Sequence, residues 1–157
     1  MDRLWAPWRI KYVSRKKQKG CIFCKALKEK KDKKNFVVLR SRYCFAILNT
    51  FPYNNGHVMI VPRKHIKSLD DLKEAELLDM NKVLLKIKSA LKKILNPSGF
   101  NIGMNIGRVA GAGIANHLHT HIVPRWLGDI NCMPVIANTK VVSQSLEELY
   151  LRLKENL

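Results

Sequence analysis

Apolar residues along the chain fall into short clusters with two different periods, and those periods assign the elements. Residues 36–39 and 43–49 are rich in β-branched and aromatic side chains and predict two strands. Pro52-Tyr53-Asn54-Asn55-Gly56 is a turn cluster in which Asn55-Gly56 is the strongest signal. His57-Val58-Met59-Ile60-Val61-Pro62 then predicts a third strand, antiparallel to the second. Ser68 with Asp71 three residues on predicts a capped helix start. Met80, Val83, Leu84, Ile87, Leu91 and Ile94 recur at helical spacing, so one long helix is expected over residues 69–95, stopped by Asn96-Pro97-Ser98-Gly99. Phe100, Ile102, Met104 and Ile106 alternate with Asn101, Gly103, Asn105 and Gly107, the pattern of a half-buried strand. Gly111 and Gly113 lie in the turn that follows, and residues 117–125 predict the last core strand. Ser145 and Glu148 form a capping-box pair for a short C-terminal helix carrying Leu146, Leu149, Tyr150 and Leu153. The sum is an α+β fold: an antiparallel sheet of about five strands with one long helix across a face.

Length and composition narrow the class. The 157 residues suit one domain with its own core, and 46% hydrophobic with 26% charged residues is the balance of a soluble globular protein. No apolar run approaches the roughly 18 residues needed to span a bilayer, and the first residues lack the apolar core of a signal peptide. No membrane association and a cytoplasmic location are expected. The net charge of +17 is extreme, and 11 of the 29 basic residues lie within residues 11–34 against only Glu29 and Asp32. This defines a basic N-terminal arm over residues 1–34, whose stretch 25–34 reads as a loop or frayed helix. Such a run is more often a solvated face than a nucleic-acid contact, but either way it attracts polyanions. Of the four cysteines, Cys21 and Cys24 form a C-x-x-C pair, which in a reducing compartment reads as half a metal site or as a redox motif.

The chemistry is concentrated in His117-Leu118-His119-Thr120-His121-Ile122-Val123, which holds three of the chain's five histidines at alternate positions. On one strand all three face the same side, roughly 7 Å apart, and the outer two at roughly 13 Å are too far apart to chelate one ion together. A row of imidazoles suits phosphoryl or nucleotidyl transfer. A neutral imidazole can attack phosphorus, while its neighbours donate to phosphate oxygens and supply a proton to the leaving group.

The motif, with the residues around it, resembles the histidine-triad superfamily, whose hallmark is His-x-His-x-His followed by two apolar residues. Asn49, Gly56-His57-Val58 and Ile60-Val61-Pro62-Arg63-Lys64-His65 are similar to the first half of that fold. Asn105-Ile106-Gly107, the glycine turn and residues 117–125 are similar to the second. Trp5-Ala6-Pro7-Trp8-Arg9, Ala110-Gly111-Ala112-Gly113-Ile114, Pro124-Arg125-Trp126, Gly128-Asp129 and Met133-Pro134-Val135 resemble a prokaryotic branch similar to the diadenosine tetraphosphate phosphorylases. The resemblance implies His119 as the nucleophile that takes up AMP, His121 on the phosphates, His117 in the catalytic row and His57 as the partner that orients it. It further implies Asn49 on the ribose, Phe23 and Ile47 flanking adenine, Asn105 with the backbone of Gly111 and Gly113 on phosphate oxygens, and Trp126 on the leaving-group side. Two positions depart from that pattern: Ile114 stands where many relatives have a hydroxyl, which shifts the implied phosphate contacts toward backbone N–H groups, and Cys132 where the branch commonly has an aromatic residue.

By the same resemblance, Cys21, Cys24, His65 and His117 are similar to a Cys-Cys-His-His zinc site, a closed structural arrangement. The implied partners are an adenine nucleotide or dinucleoside polyphosphate and inorganic phosphate as acceptor. A second copy is also implied, as a homodimer or homotetramer across which Trp5, Trp8 and Tyr12 could lie. Three functions stay open at this point: a phosphorylase; a hydrolase of dinucleoside polyphosphates or adenosine phosphoramidates; and a nucleotide- or RNA-binding module without essential catalysis.

Overall fold

A computed structural model describes residues 20–129 and 144–157. The segments around Trp5, Trp8 and Tyr12, the lysines before Gly20, Cys132 and Met133-Pro134-Val135 lie outside the described residues. Five strands form one antiparallel sheet in the order β1-β2-β3-β5-β4: β1 (Val37–Arg40), β2 (Cys44–Leu48), β3 (Val58–Pro62), β4 (Gly99–Met104) and β5 (Thr120–Arg125). The helices are α1 (Ile22–Glu29), α2 (Asp32–Asn35), α3 (Glu74–Leu95) and α4 (Leu146–Glu155). No helix of the described residues is long and apolar enough to cross a membrane.

Strands β2 and β3 are buried along their whole length because both faces of the sheet are covered. On one face Ala46, Leu48, Val58, Ile60 and Ile122 meet Met80, Val83, Ile87 and Leu91 of α3 and Leu149 and Leu153 of α4. On the other, Phe45, Ile47, Met59 and Val61 meet Phe23 and Ala26 of α1. The period-two alternation therefore sends Val58 and Ile60 one way and Met59 and Val61 the other. The second covering layer corrects the expectation of a loop or frayed helix at residues 25–34. Phe23, Ala26 and Leu27 have helical spacing and face the sheet, while Lys25 and Lys28 point outward. Lys30, at φ 52°, ends the helix. Arg40 of β1 then ties it down: it donates to the Ala26 and Leu27 carbonyls at the helix C-terminus, and its Nη2 lies 2.7 Å from Asp32 Oδ1.

Three predicted boundaries move. The Ser68–Asp71 capping pair exists, with Asp71 Oδ2 accepting the Ser68 N–H at 3.3 Å, but it caps only the 3₁₀ turn Leu69–Asp71. Leu72 and Lys73 are extended, and α3 restarts at Glu74 with the Glu76 carboxylate accepting the Lys73 N–H at 2.9 Å. Strand β4 ends at Met104 and lies at the sheet edge, so Ile102 is 46% exposed rather than half-buried. Strand β5 begins at Thr120, three residues later than expected. Its ladder with β3 pairs Ile60 with Thr120; two steps on it would need an N–H from Pro62, which has none. Leu118 instead donates its N–H to the Ile66 carbonyl at 2.7 Å.

The β2–β3 turn closes with the Asn49 N–H on the His57 carbonyl at 2.9 Å, and Gly56 adopts φ +78° there. A Cβ at Gly56 would stand 2.6 Å from Leu95 Cδ1 and 2.8 Å from Pro124 Cγ. Gly56→Ala combines a left-handed backbone with overpacking and is expected to lower stability by about 2–3 kcal/mol in urea unfolding. Gly99→Ala, whose Cβ meets nothing within 4 Å, should change it by less than about 1 kcal/mol.

Candidate functional site

Two clusters of titratable groups meet beneath α1. Cys21 precedes that helix and Cys24 sits in its first turn, so both thiols reach the same side. His65 lies in the turn after β3 and His117 just before β5. One ligand atom from each falls within 4.8 Å of all the others. Cys21 Sγ is 3.2 Å and Cys24 Sγ 3.6 Å from His117 Nδ1, and Cys24 Sγ is 3.2 Å from His65 Nδ1. Zinc–sulfur and zinc–nitrogen bonds of about 2.3 and 2.0 Å give tetrahedral edges of roughly 3.3–3.8 Å, so this donor set fits a tetrahedral divalent ion. His117 is prepared for it: its Nε2–H donates to the Pro62 carbonyl at 2.9 Å, leaving the Nδ1 lone pair toward the thiols. Burial and the neighbouring Cys21 push the Cys24 thiol up, a penalty that a bound cation reverses. Cys44 is separate, wholly buried and donating to Asp79.

The second cluster is His119, His121 and His57, with ring centroids 4.7 Å apart between the first two and 5.0 Å between the last two. Backbone groups dictate where their protons sit. His119 Nδ1–H donates to the His117 carbonyl at 2.9 Å, so its Nε2 carries a lone pair. His57 Nδ1 accepts the Tyr53 N–H at 3.0 Å and lies 3.3 Å from Asn49 Nδ2, so its proton is on Nε2. That proton is donated to His121 Nδ1 at 2.9 Å, which places the His121 proton on Nε2. His121 Nε2 is buried without a hydrogen-bond partner among the described residues. A lone pair and an unused N–H thus stand side by side. The expected even row on one strand face is corrected here: only His121 belongs to β5, and both His117 nitrogens are engaged elsewhere.

The other predicted residues divide. Phe23 and Ile47 share one apolar cluster, and the Phe23 ring lies 5.2 Å from that of His119. Asn49, half-buried after β2, accepts the Phe51 N–H while reaching His57. Asn105 adjoins Gly111, which takes φ +89° in the turn leading to His117; Gly113 is exposed in the same turn. Trp126 is set apart: it lies one residue past β5, five residues beyond His121 and so roughly 16 Å along the extended chain. Arg125 is held by both Asp129 oxygens at 2.6 and 2.8 Å and by Asn101 at 2.7 Å.

The HIT domain family model matches residues 30–126. The chain belongs to the HIT family. An AP-4-A phosphorylase of Mycobacterium tuberculosis is 35% identical over 156 residues, covering 94% of this chain and 80% of that protein. A histidine triad nucleotide-binding protein of Sulfolobus tokodaii superposes with TM-score 0.70 at 28% identity, covering 87% of this chain and 91% of that one. A Zn-bound histidine triad protein of Mycobacterium smegmatis superposes with TM-score 0.69 at 25% identity, covering 87% and 92%.

Two parts of this HIT site had no sequence signal. Tyr53 read as a turn residue, yet its ring centroid lies 4.7 Å from His57 and 5.6 Å from His121. The Pro62 carbonyl, which orients His117, belongs to the backbone and leaves no trace in side-chain spacing.

Burial, reinforced by His119, pushes His121 from its ordinary value near 6.5 down to about 4. The unfolded chain therefore takes up this proton first, so the contribution is complete above about pH 6.5 and is lost as pH falls toward 4. Between pH 7 and 4.5, wild type is expected to lose about 2 kcal/mol more unfolding free energy than His121→Gln in urea titrations.

Proposed function

We propose that this chain is a HIT-family nucleotidyl-transferring enzyme that cleaves a phosphoanhydride of a dinucleoside polyphosphate through an AMP–His119 intermediate. The observation that carries the reading is the His119 Nε2 lone pair beside the unused His121 Nε2–H. Nε2 attacks the α-phosphorus, the bond from that phosphorus to the bridging oxygen breaks, and the polyphosphate half leaves with the electron pair. His121 donates to a non-bridging oxygen as charge develops there. An acceptor oxygen then attacks the same phosphorus and frees His119. With inorganic phosphate as acceptor, diadenosine tetraphosphate yields ATP and then ADP. Asn49 would hold the ribose, Phe23 and Ile47 the adenine, and Asn105 with the backbone at Gly111 and Gly113 the phosphates. The similarity to an AP-4-A phosphorylase along most of the chain supports phosphate as acceptor.

A second reading, water as acceptor, is favoured by the engagement of Arg125 with Asp129 and the distance of Trp126 from the imidazoles. Trp126 was expected on the leaving-group side, where the incoming phosphate would sit, and Arg125 is its neighbour in the same motif.

Product analysis of diadenosine tetraphosphate cleavage separates the two. Phosphate is expected to accelerate cleavage and to make ADP the partner product of ATP. Release of AMP at an unchanged rate with and without phosphate would make the protein a hydrolase. His119→Ala is expected to keep nucleotide binding and to retain less than about 1% of turnover, since the attacking group itself is gone.

We further propose that Cys21, Cys24, His65 and His117 hold one zinc ion per chain, in keeping with the Zn-bound relative. Zinc there would crosslink the start of α1, the turn after β3 and the residue two before His119. Elemental analysis of untagged protein prepared without chelator is expected to give about one zinc per chain, and clearly less for the Cys24→Ser variant. Metal-free protein whose Cys21 and Cys24 react freely with a thiol reagent would exclude the site.

A further inference from the structure

We propose that Tyr53 is a positioning residue for the imidazole row, its backbone N–H and its ring together holding His57, and through His57 also His121, in the Nε2–H tautomer. The inference deepens the reading above, on which its kinetic part rests.

The backbone half of the argument is a chain of two hydrogen bonds with no freedom of direction. A backbone N–H can only donate, so the 3.0 Å contact from Tyr53 makes His57 Nδ1 an acceptor. The 2.9 Å contact from His57 Nε2 then makes His121 Nδ1 an acceptor as well. The remaining His121 nitrogen must carry the proton, and it is the buried one with no partner among the described residues. With the opposite tautomer it would turn a lone pair toward the phosphate oxygens, replacing a donor by a repulsion.

The ring half concerns water. His57 is 1% and His121 8% exposed, while Tyr53 is 49% exposed. The Tyr53 ring is tilted by 37° to His57 and 35° to His121, with centroids 4.7 and 5.6 Å away, so one ring lies against both imidazoles. Its hydroxyl has no hydrogen bond among the described residues, so the cover is made by the ring. Water admitted at that place could donate to or accept from either ring nitrogen and would remove the bias that the amide imposes.

The test uses zinc-replete protein labelled with ¹⁵N-histidine, together with steady-state kinetics on diadenosine tetraphosphate. In wild type, long-range ¹H–¹⁵N spectra are expected to show His57 and His121 protonated at Nε2 and His119 at Nδ1. Tyr53→Phe should match wild type in spectra and kinetics. Tyr53→Ala, or Tyr53→Leu where alanine does not fold, should shift the His121 nitrogens toward a mixture of tautomers. The same variant should lose about tenfold in kcat with KM within about twofold. Wild-type His121 protonated at Nδ1 would overturn the proposal, as would a Tyr53→Ala variant with unchanged nitrogen shifts. A rise in KM alone would make the ring a substrate contact and overturn it too. Should wild type not cleave the dinucleotide at all, the functional reading fails, and the nitrogen spectra still decide the tautomers.

Discussion

Pro62 is the point on which the site turns. Without an N–H it cannot extend the β3–β5 ladder, so the chain before Thr120 is released from the regular sheet. The same residue's carbonyl accepts from His117 Nε2 and so turns that ring's other nitrogen toward the thiols. His119, two residues on, is free to fold its Nδ1–H back onto the His117 carbonyl. A continuous strand through residue 117 would have placed all three imidazoles in one evenly spaced row. The interrupted strand sends one to the cysteines and leaves His119 and His121 grouped with His57.

The second constraint is that β2 and β3 need cover on both faces. Helix α3 supplies one side, with α4 packed beside it. The other side is taken by Phe23 and Ala26, and this brings Cys21 and Cys24 to His117 and sets the Phe23 ring against His119. Core formation and site assembly are therefore one event on this face. Arg40 fixes the angle of α1 from the sheet side by pairing with Asp32 and capping the helix end.

What the sequence made legible follows from which signals are side-chain signals. The five strands, the helix through Met80, Val83, Ile87 and Leu91, and the C-x-x-C pair were readable because each is a pattern of residue types at a period or in a motif, whereas His65 and His117 joined the cysteines only through the family resemblance. The helix start was misplaced because Ser68 and Asp71 are a true capping pair on a turn that then stops; nothing in composition distinguishes one turn from seven. Helix α1 was hidden by the lysines in and after it: Lys25 and Lys28 interrupt Phe23, Ala26 and Leu27, and Lys30, Lys31, Lys33 and Lys34 follow directly. The remaining omissions were main-chain interactions. Pro62 O, His117 O and the Tyr53 N–H set the protonation of four histidines, and a backbone amide is the same in every residue that has one.

His117 touches both clusters, but through different atoms: its imidazole faces the thiols and its carbonyl holds the Nδ1 proton of His119. Inheritance can alter the first and not the second. A lineage that replaced the ring at this position would give up the ion-binding set, yet every amino acid it could substitute would bring a carbonyl of its own to the same place. The two functions are thus separable over evolutionary time in one direction only. Descendants lacking the cysteine-histidine cluster can keep His119 in the same tautomer, provided other packing holds the first helix down.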